Sequence, residues 1–294
     1  MDKMLRKVST IAFFITPALF LYSAIVFIPV IASIYLSFFN WDVLNPMKFI
    51  GLDNYMRMFS DDDVFFVTIR NVLFLLVTSL AIQLPFGFFL ALILTGNVRG
   101  KDFFKLVFVM PAFLSSVAVG MMWTFIYHPQ IGIINNSLDW LGLDSLKHLW
   151  LSEPTTVMWA VTAVVSWQFI GYTMILFIAA IQNISEEIFE AARLEGAIGW
   201  KLVWHITMPL LKPIIKVNTI LISIGSLRFF DLVYVMTGGG PANVSQTLVG
   251  YLQKRSFGQL EYGYGNSLAV ILLVMCLIVT FVINKLIPTK DIED

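Results

Sequence analysis

The 294-residue chain is 58% hydrophobic and 13% charged, with no net formal charge and a mean hydropathy of +0.82. Soluble domains carry about 25% charged residues, so this composition excludes an ordinary water-soluble fold, and the balanced charge gives no electrostatic footprint for nucleic acid. The single cysteine, Cys276, excludes an intrachain disulfide framework or a thiolate metal cluster.

Residues 11–39 and 71–98 contain no Asp, Glu, Lys or Arg, and about 20 such residues cross a hydrocarbon core. The start, MDKMLRKVSTIAFF, has the basic lead of a signal peptide. The apolar run that follows outlasts the ~7–15 residues of a signal core and meets no small-x-small cleavage site. It reads as a retained first helix. Six spans are expected in order, at about 11–36, 71–95, 104–127, 157–181, 213–236 and 265–287. Helices satisfy every backbone polar group within the segment, and the alternation of a membrane β-barrel is absent. The expectation is an all-α membrane protein of six transmembrane helices forming one transmembrane domain over 1–294.

Short-loop cations set orientation. With the N-terminus inside, Lys3, Arg6, Lys7, Arg99, Lys101, Lys105, Arg193, Lys201, Lys212, Lys216, Lys285 and Lys290 are cytoplasmic. Lys48, Arg57, Arg70, Lys147, Lys254 and Arg255 are then external. Twelve against six predicts N-in and C-in, and Arg228 is left inside the fifth span.

The stretch EEIFEAARLEGAIGWKLVWHITMPLLKP (186–213) is the longest polar-rich segment and belongs to the cytoplasmic loop 182–212. Ser185 is placed to cap a helix beginning at Glu186, and Glu186, Glu187 and Glu190 suit the positive end of its dipole. Gly196 and Gly199 interrupt it, which predicts two short helices with a bend near Gly196. Trp200, Lys201 and Trp204 suit a helix resting in headgroups. The acidic first half with its small Ala191–Ala192 suits close approach to a protein, leaving Glu190 for a basic partner. Both readings stand on the residues alone.

The segment EAARLEGAIGWKLVWHITMPLLKP resembles the EAA loop of permease subunits of ATP-binding-cassette importers. Glu190-Ala191-Ala192, Gly196-Ala197 and Met208-Pro209 match that pattern, with Glu195 in place of the commoner Asp. FIGLDNYMRMF, GKDFFKLVFVMPAFLSSVAVGMMW, FDLVYVMTGGGPANVSQTL and YGYGNSLAVILLV, in that order, are similar to segments of the carbohydrate-uptake branch. The resemblance implies an importer of two permeases, the second a different homologous chain, with two cytoplasmic ATPases and an external solute-binding protein. Its substrate would be a sugar or oligosaccharide, and its site the cell membrane of a prokaryote. A cytoplasmic coupling helix between spans four and five would then engage an ATPase through Glu190, Ala191, Ala192, Glu195, Gly196, Ala197 and Pro209. The chain has no G-x-x-x-x-G-K-[ST] loop, so ATP and Mg are expected on the partner ATPases and no cofactor here. TGGGP reads as a turn ending the fifth helix.

Charge inside a membrane marks a pathway or a structural pair. Arg228 and Asp231, three apart in the expected fifth span, are candidates for either. Sugar sites combine amides and hydroxyls with aromatic faces, which singles out Gln83, Ser115, Ser116, Trp167, Gln168 and Tyr172. Positions the resemblance implies as substrate-lining are Ser116, Gln168, Tyr172, Leu221 and Gly225. The three histidines have no metal-ligand spacing. A self-sufficient transporter would need carboxylates in several spans, and an intramembrane enzyme a nucleophile–base constellation; neither pattern is present. The alternatives are the same architecture importing glycerol phosphate or a polyamine, or a self-sufficient secondary transporter.

Overall fold

The computed structural model describes residues 8–288. Lys3, Arg6, Lys7 and Lys290, on which part of the orientation argument rests, lie outside them. Helices α1 (Val8–Tyr22) and α2 (Ile28–Leu36) form the first apolar run, joined by a π turn at Ser23–Phe27. A two-residue ladder, β1 (Phe39–Asn40) against β2 (Lys48–Phe49), and α3 (Asp53–Ser60) precede the long α4 (Asp63–Thr95). Next come α5 (Lys101–Val109), α6 (Ser116–Ile126), α7 (Ile133–Trp140), α8 (Val157–Gln182) and α9 (Glu186–Leu194). The short α10 (Trp200–Leu202) and α11 (Met208–Leu210) lead into α12 (Lys212–Leu227). Then follow α13 (Asp231–Thr237), α14 (Leu248–Gln253) and α15 (Tyr262–Leu286).

Four helical runs among the described residues are long and apolar enough to cross a membrane alone: Ile11–Leu36, Asp63–Thr95, Val157–Gln182 and Tyr262–Leu286. Two more exist only as bent pairs, Lys101–Phe113 with Ser116–Ile126 at 100° and Trp200–Leu210 with Lys212–Leu227 at 70°. Counting each pair as one span gives six. The expected uninterrupted span at 104–127 is therefore corrected, whereas the 70° bend at Leu211 precedes the expected span 213–236, which is interrupted separately after Leu227. In the third, Pro111 opens a 3₁₀ turn (Met110–Phe113) and Leu114 and Ser115 are extended before α6 begins. Proline has no N–H to continue the α ladder. The fifth stops at Leu227 and resumes at Asp231, with Phe230 at φ −141° between them. The second span starts earlier than expected, at Asp63, whose carboxylate favours a helix N-terminus. At 1.5 Å per residue α4 is about 50 Å long, against a hydrocarbon core of about 30 Å.

Contacts divide the chain into two compact units. The first holds the described part of Met1–Asp62 together with Leu252–Leu273. Asn54 Nδ2 donates to the carbonyls of Ser37 and Phe39 at 2.8 and 3.1 Å, closing the turn after α2. Asp62, buried at 5% exposure, accepts from the Tyr264 hydroxyl and pairs with Arg255 at 3.4 Å. Arg57 and Arg255 both reach Glu261 and lie against the Tyr264 ring at 4.7 and 5.2 Å. A buried carboxylate persists only with such partners.

The second unit, Asp63–Tyr251 with the described part of Val274–Asp294, is organised around α8. One core cluster joins Leu75, Val119, Val161, Val164, Leu232 and Met236; another joins Ala91, Met174, Phe177 and Leu211. Leu75 and Ala91 lie about 24 Å apart along α4, so the clusters occupy opposite ends of one helix bundle. Gly171 of α8 permits close backbone approach: a Cβ there would strike the Phe108 carbonyl of α5.

Candidate functional site

Between the two clusters the breaks in the third and fifth spans open a groove of about 370 Å³. Gln83 of α4, Phe113 of the 3₁₀ turn, and Phe169, Tyr172 and Thr173 of α8 line it. Asn218, Leu221, Gly225 and Ser226 of α12, with Phe229 beyond it, complete the wall. Asn218, Leu221 and Gly225 recur at helical spacing on α12 and so form one stripe. The Asn218 Nδ2 is buried with no hydrogen-bond partner in the chain. An unpaired buried amide costs about 1–3 kcal/mol, so this group has bonding capacity that the chain itself leaves unused. Aromatic rings beside amides and hydroxyls can take a ligand with C–H faces and hydroxyl groups.

Of the residues singled out in the sequence, Gln83, Tyr172, Leu221 and Gly225 line this groove. Gln168 and Ser116 do not. Gln168 is 1% exposed and donates Nε2 to the Leu114 carbonyl at 3.3 Å and to Ser116 Oγ at 3.5 Å. It thereby ties α8 to the extended residues of the break, a fastening rather than a wall contact. Ser115 occupies the cap position of α6 without a side-chain cap bond. Trp167 stacks edge-on against Trp123 at 5.5 Å. Arg228 and Asp231 are exposed, lie on either side of the break after α12, and form no ion pair with each other. The shared helical face that would have paired them does not exist. Asn218, Thr173, Ser226, Phe113, Phe169 and Phe229 were missed. Asn218 had a readable signal, an amide one turn before Leu221 in an apolar run.

The segment 186–211 forms an elbow from the predicted pair of short helices. Ser185 stands at the N-cap of α9 with extended backbone, yet its side chain makes no cap bond. Glu186 in the first turn pairs with Arg193 at 3.2 Å, both side chains exposed. At the other end Ala197 N–H bonds the Ala192 carbonyl at 2.9 Å and Gly196 N–H the Arg193 carbonyl at 3.0 Å. These two bonds are a Schellman cap, which requires the left-handed φ of +85° at Gly196. Gly199, at φ +57° and ψ −126°, adopts a backbone that only glycine takes readily. A π turn (Val203–Thr207) and Pro209 then carry the chain into α12. Ala192 is buried, whereas Glu190, Ala191, Glu195 and Pro209 are exposed and Ala197 is half-buried. Leu194 is 90% exposed, and Ile198 and Trp200 are exposed beside it.

Residues 83–290 match the family described as binding-protein-dependent transport system inner membrane component. A probable ABC transporter permease, YurN of Bacillus subtilis, is 36% identical over 287 residues, covering 95% of this chain and 98% of that protein. The sulfoquinovosyl glycerol transport system permease SmoG of Agrobacterium fabrum is 32% identical over 279 residues, covering 94% and 90%. A solved structure of a bacterial alginate ABC transporter, in complex with its alginate pentasaccharide-bound periplasmic protein, contains a chain of the same fold. Its TM-score is 0.84 at 21% identity, covering 98% of this chain and 99% of that one. The chain therefore belongs to the inner membrane components of binding-protein-dependent transport systems, and it is a multi-pass permease subunit of an ABC transporter.

Proposed function

We propose that this permease carries a sugar or oligosaccharide, delivered by an external solute-binding protein, through the groove between α4, α8 and α12. The observation that carries the reading is the groove itself: four aromatic rings (Phe113, Phe169, Tyr172, Phe229) around the buried, unpartnered Asn218 amide. Carbohydrate chemistry is supported by the substrates named for relatives, sulfoquinovosyl glycerol among them. Orientation is N-in and C-in, in the cell membrane of a prokaryote. The elbow faces the cytoplasm and docks on one of two ATPase subunits, which hold ATP and Mg and perform the hydrolysis. A second, homologous permease completes the path. In this reading Glu190, Ala191, Ala192, Glu195, Gly196, Ala197 and Pro209 shape the ATPase contact. Leu194, Ile198 and Trp200 supply its apolar centre, as buried anchors do at protein interfaces. Tyr172, Leu221 and Gly225 meet the solute, while Ser116 and Gln168 hold the break that opens the groove. Arg228 and Asp231 lie beyond its mouth, free to meet the second permease.

The test is reconstitution in lipid vesicles with the cognate ATPase, second permease and binding protein. ATP hydrolysis is then measured against a panel of mono- and oligosaccharides, glycerol phosphate and polyamines. Stimulation by one saccharide supports the reading; stimulation only by glycerol phosphate or a polyamine overturns the carbohydrate assignment.

A further inference from the structure

The segment between α6 and α8 lies outside every span, yet its surface is strongly apolar. Ile131, Ile133, Trp140, Leu141 and Leu146 are all exposed, Trp140 at 87%. Ile133 and Trp140 are seven residues apart on α7 and share one face, while Asn135 on the other face is 6% exposed. An apolar patch of this kind marks an interaction surface.

The segment is strapped to the span ends. Asn135 Nδ2 donates to the carbonyls of Pro129 and His148 at 3.3 and 3.0 Å, and Asn135 Oδ1 accepts from Trp150 Nε1 at 2.8 Å. The Trp150 ring lies 6.0 Å from that of Tyr127, whose hydroxyl donates to the Ala160 carbonyl of α8 at 3.2 Å. The patch is thus held beside the ends of α6 and α8. Its acidic groups are bonded within the segment. Lys147 contacts both Asp139 and Asp144, and Glu153 accepts from Leu149 N–H at 2.9 Å and meets His148 Nδ1 at 2.8 Å. Each carboxylate of residues 128–156 has a partner within the segment, Asp139 and Asp144 sharing Lys147, and on α7 Asp139 lies about 100° around the helix from Trp140, off the Ile133–Trp140 face.

We infer that residues 131–149 form a membrane-surface anchor, with Ile133 and Trp140 seated at the headgroup–acyl boundary of the adjoining leaflet. Helices with one apolar face lie in that plane, and tryptophan favours that depth. The anchor rests on the chain spanning a membrane and not on the identity of its solute. It would hold the segment between the third and fourth spans in place while the spans rock.

The test places a nitroxide at Trp140→Cys in a Cys276→Ala chain, within the whole importer in lipid nanodiscs. Collisions with oxygen should exceed those with a water-soluble nickel chelate several-fold, and adding the binding protein should leave the ratio unchanged. A second label at Ser137→Cys, exposed between Ile133 and Trp140 on the same face, should report the same depth if the tryptophan variant does not assemble. Nickel collisions in excess would show a solvated loop and overturn the anchor. Immobilisation appearing only with the binding protein would assign the patch to protein docking and overturn it equally.

Discussion

The bonds that shape the elbow join residues within eight positions of one another, whereas the groove is assembled from segments between Gln83 and Phe229. The elbow presents its apolar side chains outward, with Leu194 almost wholly exposed. The groove turns its amides inward, with Asn218 unpartnered. A locally determined, outward-facing element suits contact with another protein, because its shape survives whatever the spans do. A wall built from several helices changes shape whenever one of them moves, which suits a passage that must open and close.

The contrast can be broken at its strongest point. Gly171→Val should destabilise the folded chain by about 3 kcal/mol, because the added side chain meets the Phe108 backbone rather than a movable side chain. A lowered melting temperature of the purified complex checks it; an unchanged one would remove the close approach from the account. Glu190→Lys should leave melting unaltered and weaken ATPase binding about 30-fold, the ~2 kcal/mol of an interface hot spot. Titration of the ATPase onto detergent-solubilised permease measures that, and wild-type affinity would remove Glu190 from the contact.

Asn218→Leu sharpens the comparison from the other side. Removing an unpaired buried amide should stabilise the chain or leave it unchanged, yet raise the KM for sugar about tenfold, the effect of one lost hydrogen bond worth ~1.4 kcal/mol. Uptake at the wild-type KM would mean the solute passes elsewhere. Gly196→Ala is a smaller change, about 1 kcal/mol of left-handed strain confined to the elbow, read as weaker coupling at a retained melting temperature. The smallest effect lies outside both regions. The Leu149 N–H and then His148 hold the Glu153 carboxyl below its ordinary value. Such a depressed group adds stability that is complete above the unfolded value near 4 and lost as pH falls through the folded one. Glu153→Gln should flatten the acid limb of a melting profile, and an identical limb would show that these bonds do not matter.

These differences explain what could be read in the sequence. The elbow was legible because a glycine after a helix and glutamates before it act over short range. The long apolar runs located α4, α8 and α15, and the first run, for the same reason. The two breaks were not legible. Pro111 is visible as a letter, but the 100° turn depends on Gly171 admitting the Phe108 carbonyl and on Gln168 bonding Leu114, contacts more than 50 positions apart. Gln168 illustrates the limit: an amide at mid-span reads as a pathway group, and only packing shows it fastened to a neighbouring backbone. Arg228 and Asp231 fail as a pair for the complementary reason, since the helix that would align them stops between them.

The account stands most directly on sugar transported per ATP hydrolysed, measured in the same vesicles for wild type, Asn218→Leu and Glu190→Lys. It predicts that Asn218→Leu lowers transport at subsaturating sugar while hydrolysis responds to the binding protein, and that Glu190→Lys loses both together. Wild-type transport by Glu190→Lys, or an Asn218→Leu importer indistinguishable from wild type at every sugar concentration, would contradict it.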